Sequence, residues 1–235
     1  MRLASGDGRT ASSPKTTGPR SRRAVIFDLD GVLIDSEALQ HKAYAAVLQR
    51  FGVAVDKQTY ARHWVANGRG PEFAVEQFKL PLSPAQLRSA KSEVYFDILR
   101  REVKLMPGVV GTLARLQPHF PLGVATNSTR RDVDFVLQHF GLAAHFSAVV
   151  TREDYALAKP APDAFLTAAE RLGAAPRHCL VVEDAERGVL AAHRAGIKVV
   201  AVPNEFTNGT DFSLAARVLN DLNELSCALV DELLA

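Results

Sequence analysis

Cysteine is nearly absent: Cys179 and Cys227 are the only two in 235 residues. Two cysteines build no disulfide framework, and no Cys/His spacing here resembles a zinc site. The expectation is two reduced thiols in a cytoplasmic protein, with Cys179 serving as a small hydrophobe at the start of an apolar strand. An excess of charge of one sign is missing too. Lys and Arg number 28 against 26 Asp and Glu, a net charge of +2, so nothing global points to a nucleic acid or an anionic membrane. No apolar run approaches the roughly 20 residues a spanning helix needs. What is present is ordinary for a globular chain, 47% apolar and 23% charged, with length for one large domain or a core plus a smaller insert.

Residues 1–23 stand apart. They are rich in Gly, Ser, Thr and Pro, carry six basic residues against one acid, and show no helical period. A disordered basic tail is expected there. A targeting segment is the competing reading, but an amphipathic apolar face and an apolar secretion core are both lacking.

From Ala24 onward short apolar runs alternate with helical patterns. Strands are expected at Ala24–Phe27, Leu122–Ala125, Ala148–Val150, Leu180–Val182 and Val199–Val202. The stretch "TRRDVDFVLQHF" puts Val133, Val136, Leu137 and Phe140 on one helix face, and "PAPDAFLTAAERLG" does the same with Phe165, Ala168, Ala169 and Leu172; each ends on Gly. Strands alternating with helices of this length imply an α/β fold with a doubly wound parallel sheet. One interval breaks the rhythm. Between Asp30 and Leu122 no strand is legible, only helical stretches: a stripe of Leu39, Ala43, Val47 and Phe51, then "PEFAVEQF", then a Ser83-Pro84 start. Pro107 is expected to open the helix before the second strand. The division expected is therefore a core of 24–35 and 106–235 with an all-helical cap inserted at 36–105.

In open parallel sheets ligands bind beyond the carboxyl ends of the strands. Those ends carry, in order, Asp28 and Asp30, then Thr126 and Asn127, then Lys159, then Glu183 and Asp184. Singly these are caps, turns and surface charges. On four successive strand ends they converge on phosphoryl transfer. A phosphate ester repels a carboxylate nucleophile unless a cation intervenes, and Mg²⁺ suits all-oxygen ligands. Asp28, Glu183, Asp184 and the Asp30 carbonyl would supply its shell. Asp28 would attack phosphorus, Asp30 would act as general acid and base, and Thr126, Asn127 and Lys159 would hold the phosphate oxygens.

The segments "FDLDGVLIDSE", "ATNS", "KPAPD" and "VVEDAERG" resemble the four motifs of the haloacid dehalogenase-like phosphatase superfamily. The likeness extends over the chain from Ala24 and is nearest the branch with a helical cap after the first motif, which includes β-phosphoglucomutase and phosphoglycolate phosphatase. The resemblance implies a Rossmann-like core, an Asp28 nucleophile, an Asp30 acid/base, and Mg²⁺ and phosphate held by Thr126, Lys159 and Glu183–Asp184. True dehalogenases of the superfamily lack the second Asp, so Asp30 favours phosphate esters. Mutase relatives often carry a His where this chain has Gln40, with His41 one position along.

The expected activity is hydrolysis of a small phosphorylated metabolite, a sugar phosphate or phosphoglycolate-like ester, by a monomer or weak dimer without nucleic-acid or membrane partners. A phosphosugar mutase is the alternative. A signalling receiver domain fits poorly, because its phosphorylated Asp lies at the third strand and here only Glu153 and Asp154 follow it. Among weaker features, Arg69 in "NGRGP" is offered for a second anionic or polyol group, against the reading of a solvated Arg in a Gly-rich turn. Tyr60, Trp64, Phe135 and Phe140 are assigned to core. "VPNEFT", Pro203 to Thr207, either borders the site or is only a structured connection.

Overall fold

The structure, a computed structural model, describes residues 22–66 and 69–235. Most of the expected tail, and Asn67 and Gly68 of the Gly-rich turn, lie outside the described residues. The strands are β1 (Ala24–Phe27), β2 (Leu122–Ala125), β3 (Phe146–Val150), β4 (Cys179–Glu183), β5 (Lys198–Ala201) and β6 (Arg217–Val218). They pair in parallel in the order β3-β2-β1-β4-β5-β6. The expected doubly wound sheet is thus present. β6 was not anticipated: it is two exposed residues and has no apolar alternation to betray it.

Side chains of successive strand residues point to opposite faces, and both faces are covered. Val25, Phe27, Val124, Leu180 and Val182 belong to one buried cluster; Ala24, Ile26, Ala125, Cys179 and Val181 belong to the other. Covering both faces explains why these strands read as continuous apolar runs rather than alternating ones. Helices α7 (Asp163–Arg171) and α8 (Glu186–Arg194) lie on the second face; α5 (Val109–Leu116), α6 (Arg130–His139) and α9 (Cys227–Leu233) lie on the first. Cys179 is buried there, and burial pushes its thiol up to about 11, so it packs as a hydrophobe.

Between β1 and β2 the chain is helical: α1 (Glu37–Gln49), α2 (Lys57–Tyr60) running into a π-helix at Ala61–Ala66, α3 (Pro71–Gln77) and α4 (Pro84–Glu102). It leaves and returns side by side, with Asp35 N–H donating to the Lys104 carbonyl and Met106 N–H to that of Leu33. Ser83 caps α4 in a reciprocal pair with Gln86, with Pro84 in its first turn. Tyr44, Val47, Leu48, Tyr60, Trp64 and Leu87 form a separate buried cluster. Tyr60 and Trp64 stack with centroids 5.8 Å apart, as core. Two expectations shift. Helix α1 ends before Phe51, which is 37% exposed and does not join the stripe. Pro107 precedes α5 rather than opening it, because Gly108 is the N-cap in a left-handed conformation.

The far end of α4 is part of the main core. Leu99 is fully buried in the same cluster as Val25 and Leu113. Leu99→Ala is expected to cost about 2–5 kcal/mol, read as a lower urea midpoint at unchanged slope; a loss under about 1 kcal/mol would contradict this packing.

Candidate active site

β1 runs buried into Asp28, whose N–H donates to the Val182 carbonyl at 2.9 Å. The chain then turns at Gly31, φ +75°, closed by Gly31 N–H to the Ile34 carbonyl and Ile34 N–H to that of Leu29. The turn sets Asp30 against β2. Its carboxylate accepts from Ser128 Oγ at 2.5 Å, from Thr126 Oγ1 at 3.3 Å and, out of α4, from the Tyr95 hydroxyl at 3.5 Å.

Lys159 enters from the loop after β3. Its Nζ donates to Asp28 Oδ1 at 2.7 Å, to Glu183 Oε1 at 2.7 Å and to the Ala125 carbonyl at 2.9 Å. An ammonium has three donors, and all three are used. The loop is steadied by Asn127, whose Oδ1 accepts from Lys159 N–H at 3.2 Å and from the Tyr155 hydroxyl at 2.7 Å. Glu183 Oε2 accepts from the Asp184 and Ala185 N–H groups at 3.0 and 3.2 Å. Asp184 Oδ2 accepts from Asn204 Nδ2 at 2.7 Å.

Two glycines make room for this. A Cβ on Gly31 would stand 2.0 Å from Asp184 Oδ2, and one on Gly188 would stand 1.8 Å from Glu183 Oε1. Gly31 is therefore required both by its positive φ and by the carboxylate lying against it.

Asp28, Glu183 and Asp184 are all buried, and each offers an oxygen within 4.8 Å of the others. Burial pushes Asp28 up to about 7; Lys159 opposes the rise, while Glu183 and Asp30 add to it. Asp184 is held well above the usual carboxylate range by burial, with Glu183 and Asp28 next. Burial alone would lower the Lys159 ammonium, but Asp28 and Glu183 outweigh it and hold it above the ordinary lysine value. Three clustered carboxylates, two of them bonded to one ammonium, form a donor set that suits a hard divalent cation. Asp28 and Asp184 each keep an oxygen uncommitted to the protein bonds above, whereas both Glu183 oxygens are engaged.

Seven residues singled out in the sequence, Asp28, Asp30, Thr126, Asn127, Lys159, Glu183 and Asp184, line one cavity of about 20 Å³, together with Ala185 and Arg187. Arg69 does not join them. It is exposed, with its guanidinium 4.6 Å over the Phe73 ring, a cation–π contact that keeps it on α3. His41 bonds the Val55 carbonyl at 2.8 Å. A surface hollow of about 1270 Å³ lies at the amino ends of the strands beside Pro118, Leu122 and His145 and holds none of the site residues. Sequence reasoning missed Ser128, Tyr95 and Arg187; of the two readings of Pro203–Thr207, the one that has it border the site holds, through Asn204. Ser128 sits inside "ATNS" and Arg187 inside "VVEDAERG", so both were within reach; Tyr95 carries no local signal.

Residues 25–202 match the haloacid dehalogenase-like hydrolase family. The chain belongs to that family. It is 32% identical to protein CbbY of Rhodobacter capsulatus over 90% of this chain and 98% of the relative. It is 34% identical to the fructose-1-phosphate phosphatase YqaB of Escherichia coli over 76% and 95%. The crystal structure of CbbY from Rhodobacter sphaeroides in complex with phosphate superposes with a TM-score of 0.78 at 26% identity, covering 89% of this chain and 99% of the other. The hydrolase is an enzyme of the phosphoric monoester class represented among these relatives.

Gly188→Ala in this hydrolase is expected to destabilise by about 1–3 kcal/mol and to displace the Glu183 carboxylate. A melting temperature equal to that of the parent protein would refute the close approach.

Proposed function

We propose that this hydrolase is a Mg²⁺-dependent phosphatase for a small phosphate monoester, a sugar phosphate or phosphoglycolate-like compound, working through an aspartyl-phosphate on Asp28. The observation that carries the reading is Lys159 Nζ bonded at 2.7 Å to both Asp28 and Glu183, with Asp184 beside them. Relatives named fructose-1-phosphate phosphatase and phosphoglycolate phosphatase support the substrate class.

Asp28 and Asp184 would hold the ion, with Glu183 and the Asp30 carbonyl completing the protein's share of the shell. When bound, Mg²⁺ supplies positive charge that offsets the repulsion between the carboxylates and the phosphate. Lys159 keeps the Asp28 carboxylate in place and adds charge where the phosphoryl oxygens gather. An Asp28 oxygen attacks phosphorus, the ester P–O bond breaks, and the protonated Asp30 gives its proton to the leaving oxygen. Asp30, now a carboxylate, takes a proton from water. That water attacks phosphorus, the bond to Asp28 breaks, and inorganic phosphate leaves. Thr126 and Asn127 flank the phosphate, and Ser128 and Tyr95 fix Asp30 between the two steps.

A cavity of about 20 Å³ holds about one water, not a sugar phosphate. The helical segment therefore acts as a cap that is closed here and opens to admit substrate. Lys91 of α4 stands 4.6 Å from the Tyr95 ring and bonds Gln40, offering a cation on the cap side. Gln40, where mutase relatives often have His, is tied to Lys91, and His41 to the Val55 carbonyl; a phosphosugar mutase using the same Asp28 phosphoenzyme is the alternative reading.

Asp28→Asn is expected to lower turnover of an aryl phosphate about a thousandfold or more, with an unchanged circular dichroism spectrum; activity near that of the parent protein would overturn the assignment. Mg²⁺ at a hundred times its Kd should stabilise the fold by about 2.7 kcal/mol, raising the melting temperature by about 5 °C or more. Asp184→Asn should abolish that rise. No rise, together with turnover that survives EDTA, would remove the metal from the account.

A further inference from the structure

The Pro203–Thr207 turn after β5 touches both the acidic site and the helical segment, and its contacts fall on consecutive residues. Asn204 Oδ1 accepts from Phe206 N–H at 2.9 Å and Thr207 N–H at 3.3 Å. Thr207 Oγ1 in return accepts from Asn204 N–H at 2.9 Å, and Thr207 is buried. With its oxygen committed to two N–H groups, the amide has one orientation left. Its nitrogen must face Asp184 Oδ2, at 2.7 Å.

The next two residues face the other way. Glu205 pairs with Lys57 of α2 at 2.9 Å. Phe206, 7% exposed, belongs to the hydrophobic cluster of the helical segment. Its ring meets Tyr60 edge-on at 6.2 Å and lies 4.7 Å beneath the Lys57 ammonium. Phe206 is thus a residue of the core chain whose side chain is packed in the helical segment.

We infer that this turn couples the seating of the helical segment to the geometry of Asp184, with Asn204 as the positioning residue and Phe206 as the anchor. The inference rests on the metal reading above and deepens it. With Phe206 seated, the two N–H groups that hold Asn204 Oδ1 are fixed in place, and Asn204 then holds one Asp184 oxygen so that the other is presented to the ion. When the segment lifts, Phe206 is withdrawn from its cluster, the turn loses its anchor, and Asp184 loses its fixed partner. Cation affinity is then higher in the closed state than in the open one, and by linkage the bound cation favours closure to the same extent.

The test is Mg²⁺ binding by titration calorimetry without substrate, on the full chain and three variants. Asn204→Ser keeps a turn-capping oxygen but is too short to reach Asp184; it should weaken Mg²⁺ binding about tenfold or more, the scale for a group that orients a metal ligand. Phe206→Ala substitutes no residue of the acidic site and should weaken Mg²⁺ binding about threefold or more; Phe206→Leu covers the case in which Ala unfolds and should give a smaller loss in the same direction. A merely structural turn would lower the melting temperature of these variants and leave Mg²⁺ affinity unchanged, which would overturn the coupling. Unchanged affinity in Asn204→Ser alone would equally overturn the role of Asn204. No Mg²⁺ binding by the parent protein would overturn the coupling and the metal reading together, whereas binding by the parent with indifferent variants would overturn only the coupling.

Discussion

The site depends on one buried ammonium. Lys159 Nζ joins the carboxyl ends of three adjacent strands: Asp28 from β1, the Ala125 carbonyl from β2 and Glu183 from β4. Its side chain is 3% exposed, and those of its two acids are 9% and 2% exposed. Taking such charges out of water is expensive, and removing one partner would leave the others uncompensated. The arrangement persists because every N–H of the ammonium is used and because the Phe165 ring, 4.4 Å away, adds a cation–π face.

The rest of the local structure follows from keeping two acids on that ammonium with a third, Asp184, clustered beside them. Gly31 and Gly188 are where they are because a Cβ would occupy the space of Asp184 and Glu183. Glu183 takes Lys159 on one oxygen and two backbone N–H groups on the other, so it braces the loop into α8. Asp28 and Asp184 are left to face the cavity. Burial, with the neighbouring acids adding to it, raises Asp28 and Asp184 above ordinary carboxylates, and the clustered negative charge makes a divalent cation a good fit.

Much of this was legible in the sequence, for a physical reason. Strands covered on both faces must be continuously apolar, so acids at their ends stand out, and Asp28, Thr126 and Glu183–Asp184 could be read from position alone. Lys159 was legible only through its order along the chain, since a Lys before Pro has no local signature. The segment of helices after Asp30 showed through its own stripes and the Ser83 cap. What was hidden depends on tertiary contact. β6 has no pattern of its own. Phe51 obeyed the helical period yet lies past the end of α1. The placement of the Arg69 guanidinium over the Phe73 ring has no local signal in its Gly-rich turn. Asn204 and Phe206 sit in a stretch that reads more readily as a plain connection, because nothing local says that neighbouring residues will serve two different parts of the fold.

The central claim is that Asp28 carries the phosphoryl group between substrate and water. The stereochemical course at phosphorus tests it most directly, using a thiophosphate ester made chiral with oxygen isotopes and hydrolysed in water carrying the third isotope. Each in-line displacement inverts the phosphorus centre, so attack by Asp28 followed by attack by water is expected to give net retention. Net inversion, the result of a single direct attack by water, would contradict it.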